Sequence, residues 1–316
     1  MHYLGVDLGG TNIVAAVLDE NYNIISQSKC STNCPRSYQQ ILTDVAKVAL
    51  DASAKVSLNI KDFAYCGIGS PGIISIQKGI IADAVNLGFK NVPAAQFLSD
   101  KLGIPIILEN DANAAAYGEF IAGSAKGKNN FVALTIGTGI GSGVILDKKI
   151  YRGTNGLGGE LGHTVINFNG RQCSCGRKGC MDVYASATGL ITSTKDAMKA
   201  NKNSIMWQMT KNDLATVNGM TAFVAARKED ESAKSVVAEY VEVLAICITN
   251  IVNTFQPDMI SIAGGISREG EYLLEPVRKQ VYSQCLKTDF LPLPELCMSK
   301  LQDNAGVIGA ALLGVS

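Results

Sequence analysis

Apolar residues recur along this chain at two alternating spacings, every second position and every third to fourth position. The segment 3–28 consists of short apolar runs broken by turn residues, which predicts strands. The segment from Tyr38 to Val56 has helical spacing, with four apolar residues on one face: Ile41, Val45, Val48 and Ala49. The same patterns predict a strand at 63–68, a helix at 94–102, a strand at 105–108 and a helix at 112–122.

The second half of the chain repeats this alternation. Strands are predicted at 131–136 and 259–263, and the longest predicted helix spans 232–254. A helix of small residues at 305–314 is expected to fold back onto the first domain. Strands that alternate with helices throughout the chain indicate an α/β fold.

Two segments share the order of an apolar strand, a glycine-rich turn and a second apolar strand. The turn residues are Asp7, Gly9, Gly10, Thr11 and Asn12 in the first segment, and Gly137, Thr138 and Gly139 in the second. Glycine permits tight turns and brings backbone N–H groups close to a ligand, and each turn also carries a hydroxyl. Two such turns, facing each other across a cleft, would hold the β- and γ-phosphates of one nucleotide. The sequence therefore predicts a nucleotide-dependent phosphotransferase with two duplicated domains.

The common nucleotide motifs do not explain these turns. The chain contains no G-x-x-x-x-G-K-[ST] motif, so it is not a P-loop enzyme. The glycines at 137–143 depart from the dinucleotide pattern G-x-G-x-x-G, and a β-rich segment follows them instead of a helix. A plain hairpin turn explains either segment alone, but not the presence of one at the start of each half.

The composition limits the classes of partner. The 28 basic and 28 acidic residues balance and no basic run is present, so we expect neither nucleic acid nor an anionic membrane as partner. No apolar stretch approaches the roughly 20 residues that span a bilayer, and Asp7 interrupts the N-terminal apolar run at once. Nine unevenly spread cysteines do not resemble a secreted disulfide framework, which favours a reduced, cytoplasmic protein.

Asp111 is the candidate general base. The predicted strand at 105–108 leads into Glu109-Asn110-Asp111, and ligands of α/β proteins collect at this end of the strands. A hydroxyl that attacks a γ-phosphate needs a carboxylate to accept its proton. The simpler alternative is that Asp111 only caps the helix that follows it.

A candidate metal site lies in the second half of the chain. Cys173, Cys175 and Cys180 fall within eight residues, close to His163, one of only two histidines. Three thiolates and one imidazole form a closed tetrahedral zinc site, which is typical of a structural metal rather than a catalytic one. The alternative is a set of unpaired surface thiols.

Two further segments are compatible with ligand binding. Glu160 precedes His163 by three positions, and together they offer hydrogen-bond partners to a polyol. The predicted strand at 259–263 opens onto Gly264 and Gly265, which would provide a floor for an adenine ring. A solvated loop carboxylate and an ordinary strand–turn–helix connection explain these segments equally well.

The motifs, taken together, resemble the ROK family, whose name covers bacterial repressors, open reading frames and sugar kinases. They are D-x-G-G-T at 7–11, E-N-D-x-N at 109–113, G-T-G-x-G at 137–141, E-x-G-H at 160–163 and C-x-C-G-x-x-G-C at 173–180. The resemblance extends over residues 6–314. Within the family, the segments 84–91 and 184–189 are most similar to the bacterial glucokinases.

The resemblance implies an actin-like ATPase (ribonuclease H-like) fold with an interdomain cleft, and ATP with Mg²⁺ as cofactors. It implies that Asp111 is the base and that Asn110, Glu160 and His163 hold a hexose. His163 would bind zinc through one ring nitrogen and face the sugar with the other. We also expect Gly72 and Asn86 at the sugar, Asp7 to position Mg²⁺ through water, and the chain to form a homodimer.

One position departs from the family pattern. The family usually has glutamate two residues after the last cysteine, where its carboxylate contacts the sugar near the reducing end, and this chain has Asp182. The shorter side chain predicts a longer contact or one bridged by water. We therefore expect weaker discrimination at C2 of the sugar.

These observations predict an ATP-dependent kinase that converts a hexose, first of all glucose, to its 6-phosphate in glycolysis. The expected domains are 1–118, with the segment 305–316 packed back on it, and 119–304, which carries the zinc loop. N-acetylmannosamine, N-acetylglucosamine, mannose and fructose are alternative substrates. A non-catalytic sugar-sensing regulator is an alternative of another class, although the family's repressors carry a helix-turn-helix domain ahead of the first phosphate motif. An actin-like assembly protein is a third, which the zinc loop and the Asn110-Asp111 pair disfavour.

Overall fold

The structure, a computed structural model, describes residues 1–315 and contains three sheets and ten α-helices within that range. The strands are β1 (Tyr3–Leu8), β2 (Asn12–Leu18), β3 (Ile24–Ser31), β4 (Cys66–Ser70), β5 (Ile73–Ser75), β6 (Ile80–Ala84), β7 (Phe89–Val92), β8 (Ile106–Asn110), β9 (Phe131–Ile136), β10 (Ile140–Leu146), β11 (Lys149–Ile150), β12 (Met259–Ala263) and β13 (Glu295–Met298). The helices are α1 (Tyr38–Ala54), α2 (Ala94–Leu102), α3 (Asp111–Ile121), α4 (Asp182–Ala185), α5 (Ala187–Ala200), α6 (Met206–Met209), α7 (Thr221–Ala226), α8 (Glu231–Phe255), α9 (Glu271–Gln284) and α10 (Ala305–Leu312).

The first sheet has the strand order β3-β2-β1-β4-β8. β1, β2 and β3 form an antiparallel meander, and β4 and β8 continue the sheet parallel to β1. The register pairs Asp7 with Gly69, and Gly69 with Glu109. The carboxyl ends of β1, β4 and β8 therefore lie at one edge of the sheet, where α/β proteins place their ligands.

The second sheet has the order β11-β10-β9-β12-β13. When the strands of each sheet are numbered from one to five along the chain, both sheets have the order 3-2-1-4-5. β10 and β11 are antiparallel, whereas β12 and β13 are parallel, as in the corresponding part of the first sheet. The repeated topology confirms the α/β class and the duplication that the two glycine-rich turns predict.

Most predicted elements occur within a few residues of their expected bounds, and α2, β9 and β12 match them. The strand predicted at 63–68 starts later, at Cys66, because Phe63 ends a 3-10 turn at Ile60–Asp62 and reaches the core from a loop. The third sheet, the antiparallel order β5-β6-β7, is not predicted from the sequence. Its strands are only three to five residues long, too short for a clear period.

The described residues divide into two compact units. Unit one contains 1–133, 143–159 and 300 to the end of the described chain, and unit two contains 134–142 and 160–299. Residues 119–133, 143–159 and 300–304 thus belong to unit one, although they fall within the predicted second domain, 119–304. The boundary predicted after residue 118 remains a prediction about the duplicated domains.

α10 packs against β1, β4 and α3, all within unit one. The backbones are so close that side chains are excluded at four glycines. A Cβ on Gly67 would lie 1.8 Å from the carbonyl oxygen of Ala310, and one on Gly309 would lie 1.7 Å from that of Ala114. At Gly5 and Gly118 a Cβ would lie 2.3 Å and 2.5 Å from the nearest backbone atom. Ser316, the last residue of the predicted segment 305–316, lies outside the described residues.

α8 is long and apolar enough to meet the usual length and hydropathy criterion for a membrane span, contrary to the expectation that no apolar stretch approaches that length. In the structure, 61% of its most apolar window is buried inside the protein. The helix begins after Asp230, which caps it by accepting a hydrogen bond from Ala233 N–H. Its apolar residues pack against α5, α7 and α9, the arrangement of a core helix.

Candidate active site and metal centre

Two carboxylates, Asp7 and Asp111, lie near each other at the ligand edge of the first sheet. Asp7, Gly69 and Glu109 are paired side by side on the adjacent strands β1, β4 and β8, and Asp111 follows Glu109 by two residues. Burial raises the pKa of Asp7 to about 6, and the charge of Asp111 adds to the shift. Burial also raises the pKa of Asp111, although hydrogen bonds from Ala112 N–H and Asn110 oppose that shift. Adjacent carboxyl groups with raised pKa values are typical of acid–base sites.

Asn110, and not Asp111, caps α3. Its Oδ1 accepts hydrogen bonds from Ala112 N–H at 2.9 Å and from Asn113 N–H at 3.2 Å. Its Nδ2 donates to the carbonyl oxygen of Gly72 at 3.2 Å. Asp111 occupies the first helical position, where the helix dipole favours the ionised form. Because Asn110 does the capping, capping alone does not explain an aspartate at position 111.

Glu109 is buried behind this pair, with only 2% of its surface exposed. Its Oε1 accepts hydrogen bonds from Asn110 N–H at 2.9 Å and from Asn113 Nδ2 at 3.1 Å. Its Oε2 accepts from Arg152, whose Nε and Nη2 both lie 2.6 Å away. The Arg152–Glu109 ion pair therefore fixes the backbone from which Asn110 and Asp111 project.

The structure places the other predicted residues of unit one around this edge. Gly72 has a φ of +94°, and a Cβ there would lie 2.0 Å from the carbonyl oxygen of Asp83, so only glycine fits. Asn86 is exposed, and its Cβ lies 3.5 Å from the position of a Cβ on Gly10 in the first glycine turn. That turn is closed by a hydrogen bond from Gly9 N–H to the Asn12 carbonyl at 2.9 Å. Thr11 is exposed at its tip.

The raised pKa of Asp7 predicts a pH-dependent effect on stability. Asp7 ionises near 3.8 in the unfolded chain and near 6 in the folded one, so its contribution to stability is complete below pH 3.8 and is lost as the pH rises through 6. We expect Asp7→Asn to raise the free energy of unfolding of the ligand-free protein by up to about 3 kcal/mol at pH 8, and by only about 1 kcal/mol at pH 4.5. Thermal unfolding at both pH values checks this, with Asp100→Asn on the exposed face of α2 as control. An equal effect of Asp7→Asn at both pH values would contradict it.

The second glycine turn belongs to unit two and connects β9 to β10. Gly137 N–H donates to the Gly139 carbonyl at 2.9 Å, which closes the turn as in its counterpart at Gly9. Thr138 and Gly139 are exposed and line a pocket of about 660 Å³ within unit two. This volume lies in the range of about 300–1,000 Å³ that is typical of small-ligand sites.

Gly264 and Gly265 follow β12 in the same unit. Gly264 has a φ of +86°, and a Cβ there would lie 2.3 Å from the carbonyl oxygen of Ile136. The turn therefore lies against the end of β9, one residue before the second glycine turn. Gly265 is exposed, with nothing within 4 Å of the position of a Cβ.

The four predicted metal ligands come together in unit two. The ligand atoms of His163, Cys173, Cys175 and Cys180 all lie within 4.8 Å of one another. Cys173 Sγ is 3.6 Å from His163 Nδ1, and Cys175 Sγ is 3.6 Å from Cys180 Sγ. A tetrahedral zinc ion with bonds of about 2.0–2.3 Å requires ligand separations of about 3.3–3.8 Å, and these two separations fall in that range. The backbone N–H of Arg177 lowers the pKa of the Cys175 thiol, which favours the thiolate that binds metal.

His163 also has the orientation that the resemblance implies for its metal-binding side. Nδ1 is the ring nitrogen that faces Cys173, so Nε2 is directed away from the metal centre. His163 ends a 3-10 turn that starts after Glu160, and its N–H donates to the Glu160 carbonyl at 3.1 Å. The Glu160 side chain is exposed. The sugar contacts of both residues remain predictions.

Asp182 has a contact that the sequence does not predict. Its Oδ1 accepts a hydrogen bond from Ile140 N–H at 2.7 Å, and it lies against Gly139 of the second glycine turn. The sugar contact expected of Asp182 remains a prediction.

Sequence reasoning missed Arg152 and Gly306 as parts of the site. Arg152 is 43 residues from Glu109, and no local pattern links an arginine in a glycine-rich loop to a carboxylate at a strand end. Gly306, in the first turn of α10, lies beside Asp7: a Cβ there would be 2.7 Å from Asp7 Oδ2. The small residues at the start of α10 were a usable signal, since they indicate close packing.

The chain is similar to known proteins over nearly its whole length. The ROK family profile matches residues 3–315. The glucokinase of Thermotoga maritima is 34% identical over 309 residues, which cover 98% of this chain and 95% of that protein. A ROK family glucokinase from Streptomyces griseus, solved in complex with glucose and AMPPNP, superimposes with a TM-score of 0.83 at 30% identity and covers 99% of each chain. A xylose repressor of Caldicellulosiruptor bescii is 30% identical over 315 residues, which cover 99% of this chain and 78% of the repressor.

Proposed function

Because the chain belongs to the ROK family, we propose that it is an ATP-dependent kinase that transfers a phosphoryl group to the 6-hydroxyl of a hexose, with glucose as the expected substrate. The observation that carries this proposal is the placement of Asp111 at the start of α3, with a raised pKa and with Asn110 as the cap. The glucokinase from T. maritima and the glucose- and AMPPNP-bound enzyme from S. griseus support both substrates.

The chemistry assigns a role to each group of residues. Asn110, Glu160 and His163 would hold the hexose hydroxyls, with Gly72 and Asn86 as further candidates. Asp111 would accept the proton of the 6-hydroxyl as its oxygen bonds to the γ-phosphorus and the bond to the departing ADP breaks. The backbone N–H groups of the two glycine turns would stabilise the phosphate oxygens, and Gly264 and Gly265 would border the adenine.

Two metal ions complete the proposal. Asp7, at the edge of the first sheet, would hold Mg²⁺ through water, and that ion would neutralise charge on the transferred phosphoryl group. His163, Cys173, Cys175 and Cys180 would hold a structural Zn²⁺, for which their spacing and donor atoms are suited. The balanced charge of the chain favours neither nucleic acid nor membrane as partner, and its unevenly spread cysteines favour a cytoplasmic protein. A homodimer and a role in glycolysis rest on the resemblance to glucokinases.

No observation favours the regulator alternative. The xylose repressor is less similar to the chain, at 30% identity, than the T. maritima glucokinase, at 34%. A non-catalytic sensor also does not need two adjacent carboxyl groups with raised pKa values, as Asp7 and Asp111 have.

A coupled assay of ADP release with a panel of hexoses tests the function directly. The panel contains glucose, mannose, fructose, glucosamine, N-acetylglucosamine and N-acetylmannosamine, each with ATP and Mg²⁺. We expect the highest kcat/KM with glucose. A higher value for another sugar would replace glucose as the substrate, and the absence of ADP release with every sugar would contradict the kinase proposal.

The metal proposal predicts one zinc ion per chain. Elemental analysis of protein purified without added metal is expected to find it, and Cys175→Ser is expected to lose it because three ligands bind zinc far more weakly than four. Cys30→Ser, outside the metal centre, is the control and should retain zinc. Full zinc occupancy in Cys175→Ser would show that this cluster is not the metal site.

A further inference from the structure

The second glycine turn is held from one side by a single segment of unit two, Asp182–Thr188, which we call the brace. Three hydrogen bonds connect the brace to the turn. Ile140 N–H donates to Asp182 Oδ1 at 2.7 Å, Ala187 N–H donates to the Gly137 carbonyl at 2.9 Å, and Thr188 Oγ1 donates to the Thr138 carbonyl at 2.7 Å.

These bonds fix the directions of successive peptide groups in the turn. In a trans peptide, the carbonyl of one residue and the N–H of the next point in opposite directions. Because the carbonyls of Gly137 and Thr138 point at the brace, the N–H groups of Thr138 and Gly139 point away from it. Within residues 1–315, neither N–H donates to another residue. Two consecutive N–H groups aimed to one side form an anion-binding nest.

Asp182 completes this arrangement at the third peptide. Its carboxylate accepts a hydrogen bond from Ile140 N–H, so this N–H points towards the brace. The Gly139 carbonyl, in the same peptide, therefore points the other way and accepts a hydrogen bond from Gly137 N–H across the turn. A Cβ on Gly139 would lie only 2.8 Å from Asp182 Oδ1, which shows how tightly the carboxylate and the turn fit together.

The brace is anchored at both of its ends. Asp182 is two residues from Cys180 of the metal centre, and Ser186 caps α5 by accepting a hydrogen bond from Gly189 N–H at 3.1 Å. Tyr240 of α8, which is buried, donates to the carbonyl of Ala185 at 2.8 Å. The position of Asp182 is therefore set by the fold and does not need a ligand to define it.

We propose that Asp182 is a positioning residue for the second glycine turn, whose N–H groups it orients towards the nucleotide phosphates, and that it acts on the nucleotide rather than on C2 of the sugar. This inference rests on the proposed function for the identity of the anion. It also accounts for an aspartate at this position: the shorter side chain reaches Ile140 N–H directly.

Calorimetric titration of Asp182→Ala with AMPPNP and Mg²⁺, and separately with glucose, tests the proposal. We expect AMPPNP to bind about tenfold more weakly, because a buried N–H loses its acceptor, and glucose affinity to stay within twofold. Asp182→Asn keeps an oxygen acceptor and should restore most of the nucleotide affinity. Thr188→Val, which removes another bond to the turn, should weaken AMPPNP binding in the same way.

Thr194→Val is the matched control, because Thr194 Oγ1 bonds to the Leu190 carbonyl within α5, and Thr194 does not line the pocket beside the turn. It should bind both ligands like the wild type. If Asp182→Ala does not fold, Asp182→Asn and Thr188→Val still test the proposal. Nucleotide affinity that is retained in Asp182→Asn and lost in Thr188→Val supports the positioning role. An unchanged nucleotide affinity in Thr188→Val contradicts it.

The sugar role makes the opposite prediction. If Asp182→Ala loses glucose affinity and keeps AMPPNP affinity, or if Asp182→Glu changes the ratio of kcat/KM for glucose and mannose at unchanged AMPPNP affinity, the positioning role is wrong. A wild-type protein that binds AMPPNP but phosphorylates no hexose would remove the proposed function and leave this inference standing. A wild-type protein that does not bind AMPPNP would overturn it.

Discussion

Asp111→Asn is expected to lower kcat for hexose phosphorylation by a factor of roughly 10²–10⁴, the usual contribution of a general base. The amide keeps the shape of the side chain and its hydrogen bond from Ala112 N–H, which lies 2.9 Å from Oδ1. It does not accept the proton of the 6-hydroxyl. Sugar affinity should therefore stay within about tenfold of the wild type, which calorimetry measures, while steady-state kinetics measures the loss of kcat.

The matched control is Asp100→Asn, an exposed position on α2 at which the same replacement should leave kcat unchanged. The ionised form of Asp111 is the active one, and its pKa is raised by burial, so the wild-type rate should fall as the pH drops from neutrality towards that pKa. Near wild-type turnover in Asp111→Asn would mean that the carboxylate has only a structural role at the start of α3.

Arg152→Leu is expected to lower the free energy of unfolding by about 3–5 kcal/mol, because it leaves the charge of Glu109 buried without a partner. Glu109 is only 2% exposed, so its charge depends on the Arg152 guanidinium to offset the cost of burial. Urea unfolding monitored by circular dichroism measures the change. Lys199→Leu removes one member of the Lys199–Asp196 pair, which is more than half exposed on both sides, and should cost less than about 1 kcal/mol.

A double-mutant cycle separates the ion pair from the packing of Arg152. Glu109→Gln keeps an oxygen that accepts the hydrogen bond from Asn110 N–H and carries no charge, so Arg152→Leu combined with Glu109→Gln should regain most of the lost stability. If the double variant is as unstable as the sum of the two single variants, the loss comes from packing and not from the unpaired charge.

The features that could be predicted from the sequence are those that a short segment defines by itself. The glycine turns at 9–12 and 137–139, the Asn110-Asp111 pair at a strand end and the cysteine group at 173–180 each carry their residue types at a fixed local spacing. The sheet order then brings the strand ends together, because parallel strands place their carboxyl ends at one edge. The repeated topology of the two sheets followed from the repeated turn.

The missed features depend on residues that are distant in the chain. Arg152 meets Glu109 across 43 positions, and Asp182 meets Ile140 across 42. A side chain's partner at such a separation is set by the packing of whole elements, which apolar spacing does not specify. Asn110 shows another limit of the sequence. The sequence indicates a cap before the helix at 112–122, but Asn110 and Asp111 are both suited to that position, and only the structure shows that Asn110 occupies it.

The groove that holds α10 also imposes an order on biosynthesis. Residues 160–299 of unit two leave the ribosome before α10 does, because they precede Ala305–Leu312 in the chain. Until α10 emerges, the glycine-lined faces of β1, β4 and α3 that it packs against are bare. Domains made first usually fold first during synthesis. In this chain the unit whose synthesis starts first is completed last, and its nascent strands stay exposed to chaperones while unit two is already being made.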